Sequence, residues 1–161
     1  MKNNLHFVYA HTQLVSLVTL RVLIGWYFLY EGLAKILTPN WTSYGYLVDA
    51  HGLFAPVFKL IAENPNLLAM ADTLNVYGLT IVGLLFILGL FNKAACVGAI
   101  SFLALYYLAH PPLIGASYIF PTEGSYLWVD KNLIMLGAVI VLLFFPTSGI
   151  IGLDRIIFKR K

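Results

Sequence analysis

The sequence predicts an all-α integral membrane protein: a four-helix bundle with an interfacial segment between its first two helices and a short amphipathic stub at its C-terminal end. Two observations carry that expectation. The 161-residue chain is 60% hydrophobic and only 11% charged, with a mean hydropathy of +0.84, whereas a soluble domain averages about 45–50% apolar and about 25% charged residues. The apolar residues are also gathered into four stretches, each close to the roughly 20 residues a helix needs to cross the hydrocarbon core. A single membrane domain over residues 1–161 accounts for all of them.

The first span is expected over about residues 14–37. Lys2 followed by a long apolar run invites a secretory-leader reading. That run exceeds a leader's apolar region and no small-x-small pattern closes it, so the segment is read as retained. Thr38-Pro39 ends the helix, because proline cannot continue it. Residues 39–70 carry Trp41, Tyr44, Tyr46, Phe54 and Phe58, and aromatic rings with a polar handle favour the membrane–water boundary. A short helix over about 54–62 is expected to lie there, with Asn64-Pro65-Asn66 as a turn. The second and third spans, about 72–91 and 93–110, are joined at Asn92-Lys93, and Pro111-Pro112 closes the third. The stretch "HPPLIGASYIFPTEGSY", 110–126, reads as a cover over the bundle. The fourth span, about 127–146, stops at Pro146 to Gly149. "GIIGLDRIIFKRK" supplies the stub, lying on the membrane surface.

Orientation follows from lysine and arginine. Four spans put both termini and the 92–93 turn on one side, which holds Lys2, Lys93, Arg155, Lys159, Arg160 and Lys161. The expectation is a multi-pass protein of the plasma (inner) membrane with both termini cytoplasmic. Glu31, Asp49, Glu63, Asp72, Glu123 and Asp130 then fall on the outward side. The basic residues are few and scattered, so the pI near 9.0 points to membrane orientation and not to nucleic acid. The one cysteine, Cys96, excludes an internal disulfide, a C-x-x-C redox pair and a four-thiolate metal site. The histidines lack metal-ligand spacing and no metal is expected.

Each span presents polar groups at its outward end: Glu31 and Lys35; Asp72, Asn75 and Tyr77; Tyr106, Tyr107 and His110; Asp130, Lys131 and Asn132. Charges at membrane depth are expensive and are paired, lifted to the interface, or used. For Lys131, Asp72 and Tyr77, an ordinary span end explains the pattern. Arg21 lies 14 residues from Lys35, about 21 Å along a helix, so each can snorkel to its own interface. Glu31 sits one turn deeper than Lys35. The i,i+4 spacing allows an ion pair facing the bundle, and equally a buried carboxylate placed for proton transfer. Arg21, Gly25, Phe28, Gly32 and Lys35 share one stripe, whose glycines permit close helix approach; that stripe is expected to face neighbouring helices. His110 is either an interfacial hydrogen-bonding group or a proton-transfer group.

Taken together, "LRVLIGWYFLYEGLAKIL", "YGLTIVGLLFILGLFNKAACVGA", "LYYLAHPP" and "GSYLWVDKNLIMLGAVIVLLFFPTSGIIGLDR" resemble the DoxX/DoxD family of small four-helix membrane proteins, over about residues 14–155. The resemblance implies a DoxD-like membrane subunit of a thiosulfate:quinone oxidoreductase working with a second subunit, with quinone as co-substrate. On that expectation Glu31, Lys35, His110, Asp130 and Lys131 serve the chemistry: the cations attract an oxyanion donor, and Glu31 or His110 relays protons. Trp41, Tyr106, Tyr107 and Asn132 line a quinone slot. A membrane anchor whose polar end docks an extracytoplasmic partner is the alternative. A small-solute or proton carrier ranks third, because neither broken helices nor inverted repeats stand out. Lipid is the one certain partner; oligomeric state is open.

Overall fold

The computed structural model describes residues 9–113, 118–119 and 127–158. Most of the expected cover over 110–126 lies outside them, as do Lys2, His6, Glu123 and the last three residues of the stub. Helix α1, His11–Leu37, runs 27 residues, about 40 Å at the helical rise. Two short helices follow, α2 (Tyr44–Val48) and α3 (Ala55–Glu63). The next rod is α4 (Pro65–Thr73), a wide π-type turn Leu74–Gly78, and α5 (Leu79–Leu88). Helix α6 is Asn92–Ala109, α7 is Lys131–Phe144, and α8 is the single turn Asp154–Ile157.

Three of these rods, His11–Leu37, Pro65–Leu88 and Asn92–Ala109, are long and apolar enough to cross a membrane, and α7 is a shorter apolar helix. The all-helical, membrane-embedded class is therefore as the composition predicts. Boundaries differ from expectation in two places, each with a local cause. The second rod starts at Pro65 and not near 72, because the expected turn at Asn64-Pro65-Asn66 is a helix start. The Asn64 side chain accepts from the amides of Asn66 (3.0 Å) and Leu67 (3.3 Å), and proline suits the first helical position. The fourth helix starts at Lys131 and not at 127. Leu127 and Trp128 have φ of 48° and 72°, a left-handed conformation no helix includes. Asp130 caps it by accepting from the Leu133 amide at 2.8 Å. The stub shortens to the one turn of α8 within the described residues.

Helix α1 packs along α5, and α6 along α7. The predicted stripe faces inward: Arg21, Gly25, Phe28 and Gly32 are buried. Its glycines let backbones meet, since a Cβ on Gly25 would lie 2.8 Å from Phe86 Cβ and 3.0 Å from the Gly83 carbonyl. Phe28, Phe86, Leu103, Val139 and Leu142 form the core between the four rods, with Cys96 packed among them. A second, smaller cluster of Leu47, Ala50, Phe58, Ala62 and Ala109 seats α2 and α3 on one end of the bundle. Leu23, Trp26, Tyr30, Leu84, Val97 and Ile134 point outward and are exposed, a surface suited to lipid.

Arg21 corrects an expectation. It does not snorkel to an interface but turns inward, 2% exposed, and donates from Nη1 to Thr147 Oγ1 at 2.8 Å.

Candidate functional site

A cavity of about 780 Å³ lies under α2 and α3, walled by α1, α4, α6 and the start of α7. Its apolar wall comes from side chains such as Phe58 and Ile61 of α3, Leu67, Met70 and Leu74 of the second rod, and Phe102 and Leu105 of α6. Helix α4 packs on α3 and on the wide turn, with no extended contact to α6. Met70, Leu74 and Leu105 line the cavity beside that divergence and are strongly exposed. The polar half is set by Glu31, Lys35, Asn75, Tyr106, His110 and Asp130.

Eight of the nine residues singled out in the sequence line this one cavity: Glu31, Lys35, Trp41, Tyr106, His110, Asp130, Lys131 and Asn132. Tyr107 does not line it; its hydroxyl donates to the Trp128 carbonyl at 2.8 Å, tying α6 to the entry of α7. Asp130 is occupied as a cap, and its second oxygen accepts from Asn132 Nδ2 at 3.0 Å. Lys131 Nζ lies 4.9 Å from the centre of the Tyr27 ring, within cation–π range.

Glu31 and Lys35 form the ion pair their spacing allows, at 2.9 Å. The Lys35 side chain is 15% exposed and Glu31 41%, so the lysine is folded in and the carboxylate is the open group. Lys35 also donates to the Glu31 carbonyl at 3.3 Å and stands 5.5 Å from the Trp41 ring centre. The Glu31 carboxylate and carbonyl hold the ammonium back along the helix with the Trp41 ring beside it, and the shorter glutamate faces the cavity.

Behind these residues lies a bonded layer that spacing alone did not assign. The wide turn Leu74–Gly78 carries Asn75, whose Oδ1 accepts from the Tyr106 hydroxyl at 2.5 Å. The Tyr106 carbonyl accepts from the Tyr46 hydroxyl at 3.3 Å. Burial, and to a lesser degree the Asp130 charge, pushes the Tyr46 phenol well up from its ordinary value, so it remains a donor. Ser43 donates to Asp72 Oδ1 twice, from its amide (2.8 Å) and its hydroxyl (2.6 Å), pinning the start of α2 to α4. His110, just past the end of α6, places Nε2 3.4 Å from Asp49 Oδ2, and both side chains are more than nine-tenths buried. The two are 61 residues apart, so no local pattern announces the pair. Among the described residues no three His, Cys, Asp or Glu side chains are grouped to hold a metal ion.

Burial pushes the His110 imidazole below its ordinary value of 6.5, partly offset by Asp49. A histidine whose folded value is depressed binds fewer protons folded than unfolded, so its contribution is present above about 6.5 and lost as pH falls toward the folded value. The melting temperature of the detergent-purified protein should therefore fall on acidification below 6.5, and His110→Gln should fall less steeply. Parallel pH profiles for the two proteins would refute this.

No curated protein and no solved structure matches the chain. A family model described as DoxX does, over residues 16–111. That is more than half of the sequence, and it takes in α1, the helices over the cavity, the rod containing Asn75, and α6 through His110. Apart from Pro112 and the start of α7, every residue that lines the cavity falls within the match, and the chain belongs to the DoxX family.

Proposed function

We propose that this chain is a DoxD-like membrane subunit of an oxidoreductase, passing electrons from an outward-side donor to membrane quinone. One observation carries the reading: a cavity of about 780 Å³ with a polar end and an apolar side bordered by α4 and α6, which make no extended contact. A ring with polar substituents and a long apolar tail fits such a space, and it would enter from the bilayer between α4 and α6. Bound quinone supplies two-electron, two-proton redox chemistry. Of the chain's own residues, Phe102 and Leu105 exclude water on the apolar side. Tyr106 and His110 stand at the polar end, and Glu31, the open carboxylate, is placed to exchange protons with water.

The finer features belong to the same proposal. The lysine and arginine bias supports an orientation with both termini in the cytoplasm, which would turn the cavity end outward. Lys35 and Lys131 at the polar end would draw an anionic donor, thiosulfate on the family resemblance. A second subunit would bring the donor-side chemistry.

The test is quinone reduction by the purified protein with thiosulfate, alone and with whatever co-purifies, comparing wild type with Glu31→Gln. Wild type should turn over, and the variant should fall at least about tenfold, toward the roughly hundredfold typical of a lost proton-transfer group, with its melting temperature little changed. No wild-type turnover with partners present would replace this reading with that of an anchor docking an extracytoplasmic partner.

A further inference from the structure

We propose that Asn75, and not the Tyr106 hydroxyl beside it, is the group that holds a quinone carbonyl in the cavity, with Tyr106 fixing which end of the carboxamide meets the ligand. This rests on the quinone reading and adds the donor that recognises the ring.

Asn75 lies near the middle of the membrane-spanning rod Pro65–Leu88, on the wide turn Leu74–Gly78. Such turns recur at functional sites. The residue is half-buried and lines the cavity together with Tyr106 and Glu31. A carboxamide has one acceptor oxygen and two N–H donors. The oxygen is taken, since Oδ1 accepts from the Tyr106 hydroxyl at 2.5 Å. The nitrogen has no hydrogen-bond partner among the described residues. It is not sealed either: among described residues short of full exposure, the side-chain atoms both buried and unpaired are Arg21 Nε and His110 Nδ1. Nδ2 thus keeps accessible surface on a side chain of the cavity wall. Two open donors at membrane depth cost free energy until an acceptor reaches them. The other asparagine in the wall, Asn132, has its nitrogen on Asp130 Oδ2.

The hydroxyl decides which end of the amide is which. Tyr106 donates one hydrogen, and its acceptor among the described residues is Asn75 Oδ1. Turning the carboxamide over would set Nδ2 against the hydroxyl and leave the O–H hydrogen unpaired there, which folded proteins avoid. The phenol is itself held. Its ring meets Tyr46 edge-on at 6.0 Å and lies near-parallel to Phe102 at 6.3 Å, and its backbone carbonyl accepts from the Tyr46 hydroxyl. Thr80 Oγ1 donates to the Val76 carbonyl at 2.8 Å, bonding the wide turn to α5. The group a fixed pair of N–H donors selects is a carbonyl oxygen. Quinones carry one and so do lipid esters, and the experiment separates the two.

Full-length protein in nanodiscs of diether lipid, which has no ester carbonyl, is titrated with decyl-benzoquinone labelled with carbon-13 at its carbonyls. Wild type is compared with Tyr106→Phe and with Tyr106→Phe combined with Asn75→Leu. The phenylalanine removes a hydroxyl that could turn to the ligand once Asn75 is gone, so the two variants differ only at position 75. Wild type should bind quinone and lower its labelled infrared carbonyl stretch relative to quinone in protein-free lipid. Tyr106→Phe should keep a lowered but broader band, because its amide is free to turn. The double variant should bind about three- to tenfold more weakly than Tyr106→Phe, the worth of one hydrogen bond, with its band back toward the lipid value. Equal affinity and equal bands in the two variants, or an unshifted band in wild type, would overturn the inference and leave the quinone reading standing. No quinone binding by wild type, or binding that disappears in ester-linked lipid, would overturn both. If the double variant does not fold, Asn75→Asp decides at alkaline pH. It keeps the oxygen that Tyr106 needs and replaces the donor nitrogen, so wild-type affinity and band there would overturn the inference.

Discussion

Gly83→Leu should leave little or no monodisperse protein after detergent extraction. A Cβ at position 83 would lie 2.7 Å from the Leu29 Cα and 2.8 Å from the Gly25 carbonyl oxygen. These are backbone atoms, so no rotamer change relieves the clash and α1 must move off α5. Those two helices make the most extensive pairing in the molecule, and both also carry the interior core residues Phe28 and Phe86. Overpacking a core that can adjust costs about 1–3 kcal/mol; a rigid backbone contact belongs at or beyond the upper end. The cavity should fail with the fold, because Tyr27, Glu31 and Lys35 are all on α1. Gly137→Ala is the matched control. Nothing lies within 4 Å of a Cβ there, and alanine gains helix propensity of roughly 1 kcal/mol over glycine, so that variant should melt at or slightly above wild type. Wild-type yield and melting temperature for Gly83→Leu would show that the two helices are not locked by this contact.

The same contact shows what could be read from the sequence. A stripe at i, i+4, i+7 and i+11 is a property of one helix, and Gly25, Phe28 and Gly32 lie where the period puts them. The polar cluster was legible for a similar reason: four spans of known length place their ends at common levels, so Glu31, Lys35, Tyr106, His110 and Asp130 had to be near one another. What failed depends on contacts between distant segments. Asp49 meets His110 only because α2 and α3 fold back over the bundle, and an aspartate in an apolar loop carries no sign of its partner. The left-handed Leu127 and Trp128 have no propensity signal, since neither is a residue that favours that conformation. Helical spacing gives the Glu31–Lys35 pair but not the Trp41 ring beside the lysine, so which of the two side chains is the more exposed was not legible.

Arg21 is the largest departure, and it leads to the second strong prediction: Thr147→Val should destabilise the protein more than Arg21→Met. The guanidinium is buried, its Nη1 donates to Thr147 Oγ1, and its Nε has no hydrogen-bond partner among the described residues. Asp154 is near enough to act as a counter-charge, but its oxygens are taken by the amides of Phe91 (2.9 Å) and Asn92 (3.4 Å). A Cβ on Gly89, at φ +62°, would lie 3.0 Å from the guanidinium carbon, so the turn between α5 and α6 closes over it. Removing the Thr147 hydroxyl leaves a buried cation with less compensation, at a cost of about 1.5–3 kcal/mol for a hydrogen bond to a charged group. Removing the cation itself is different, since a buried charge replaced by an apolar side chain of similar length is often neutral or stabilising. The double variant should therefore melt closer to wild type than Thr147→Val alone. A double variant less stable than both single ones would mean that Arg21 and Thr147 act independently. If instead the expected pattern holds, Arg21 is retained for specifying how α1, the 89–92 turn and the segment after α7 close on one another. The buried cation would then fix this end of the bundle, opposite the cavity, at no net gain in stability.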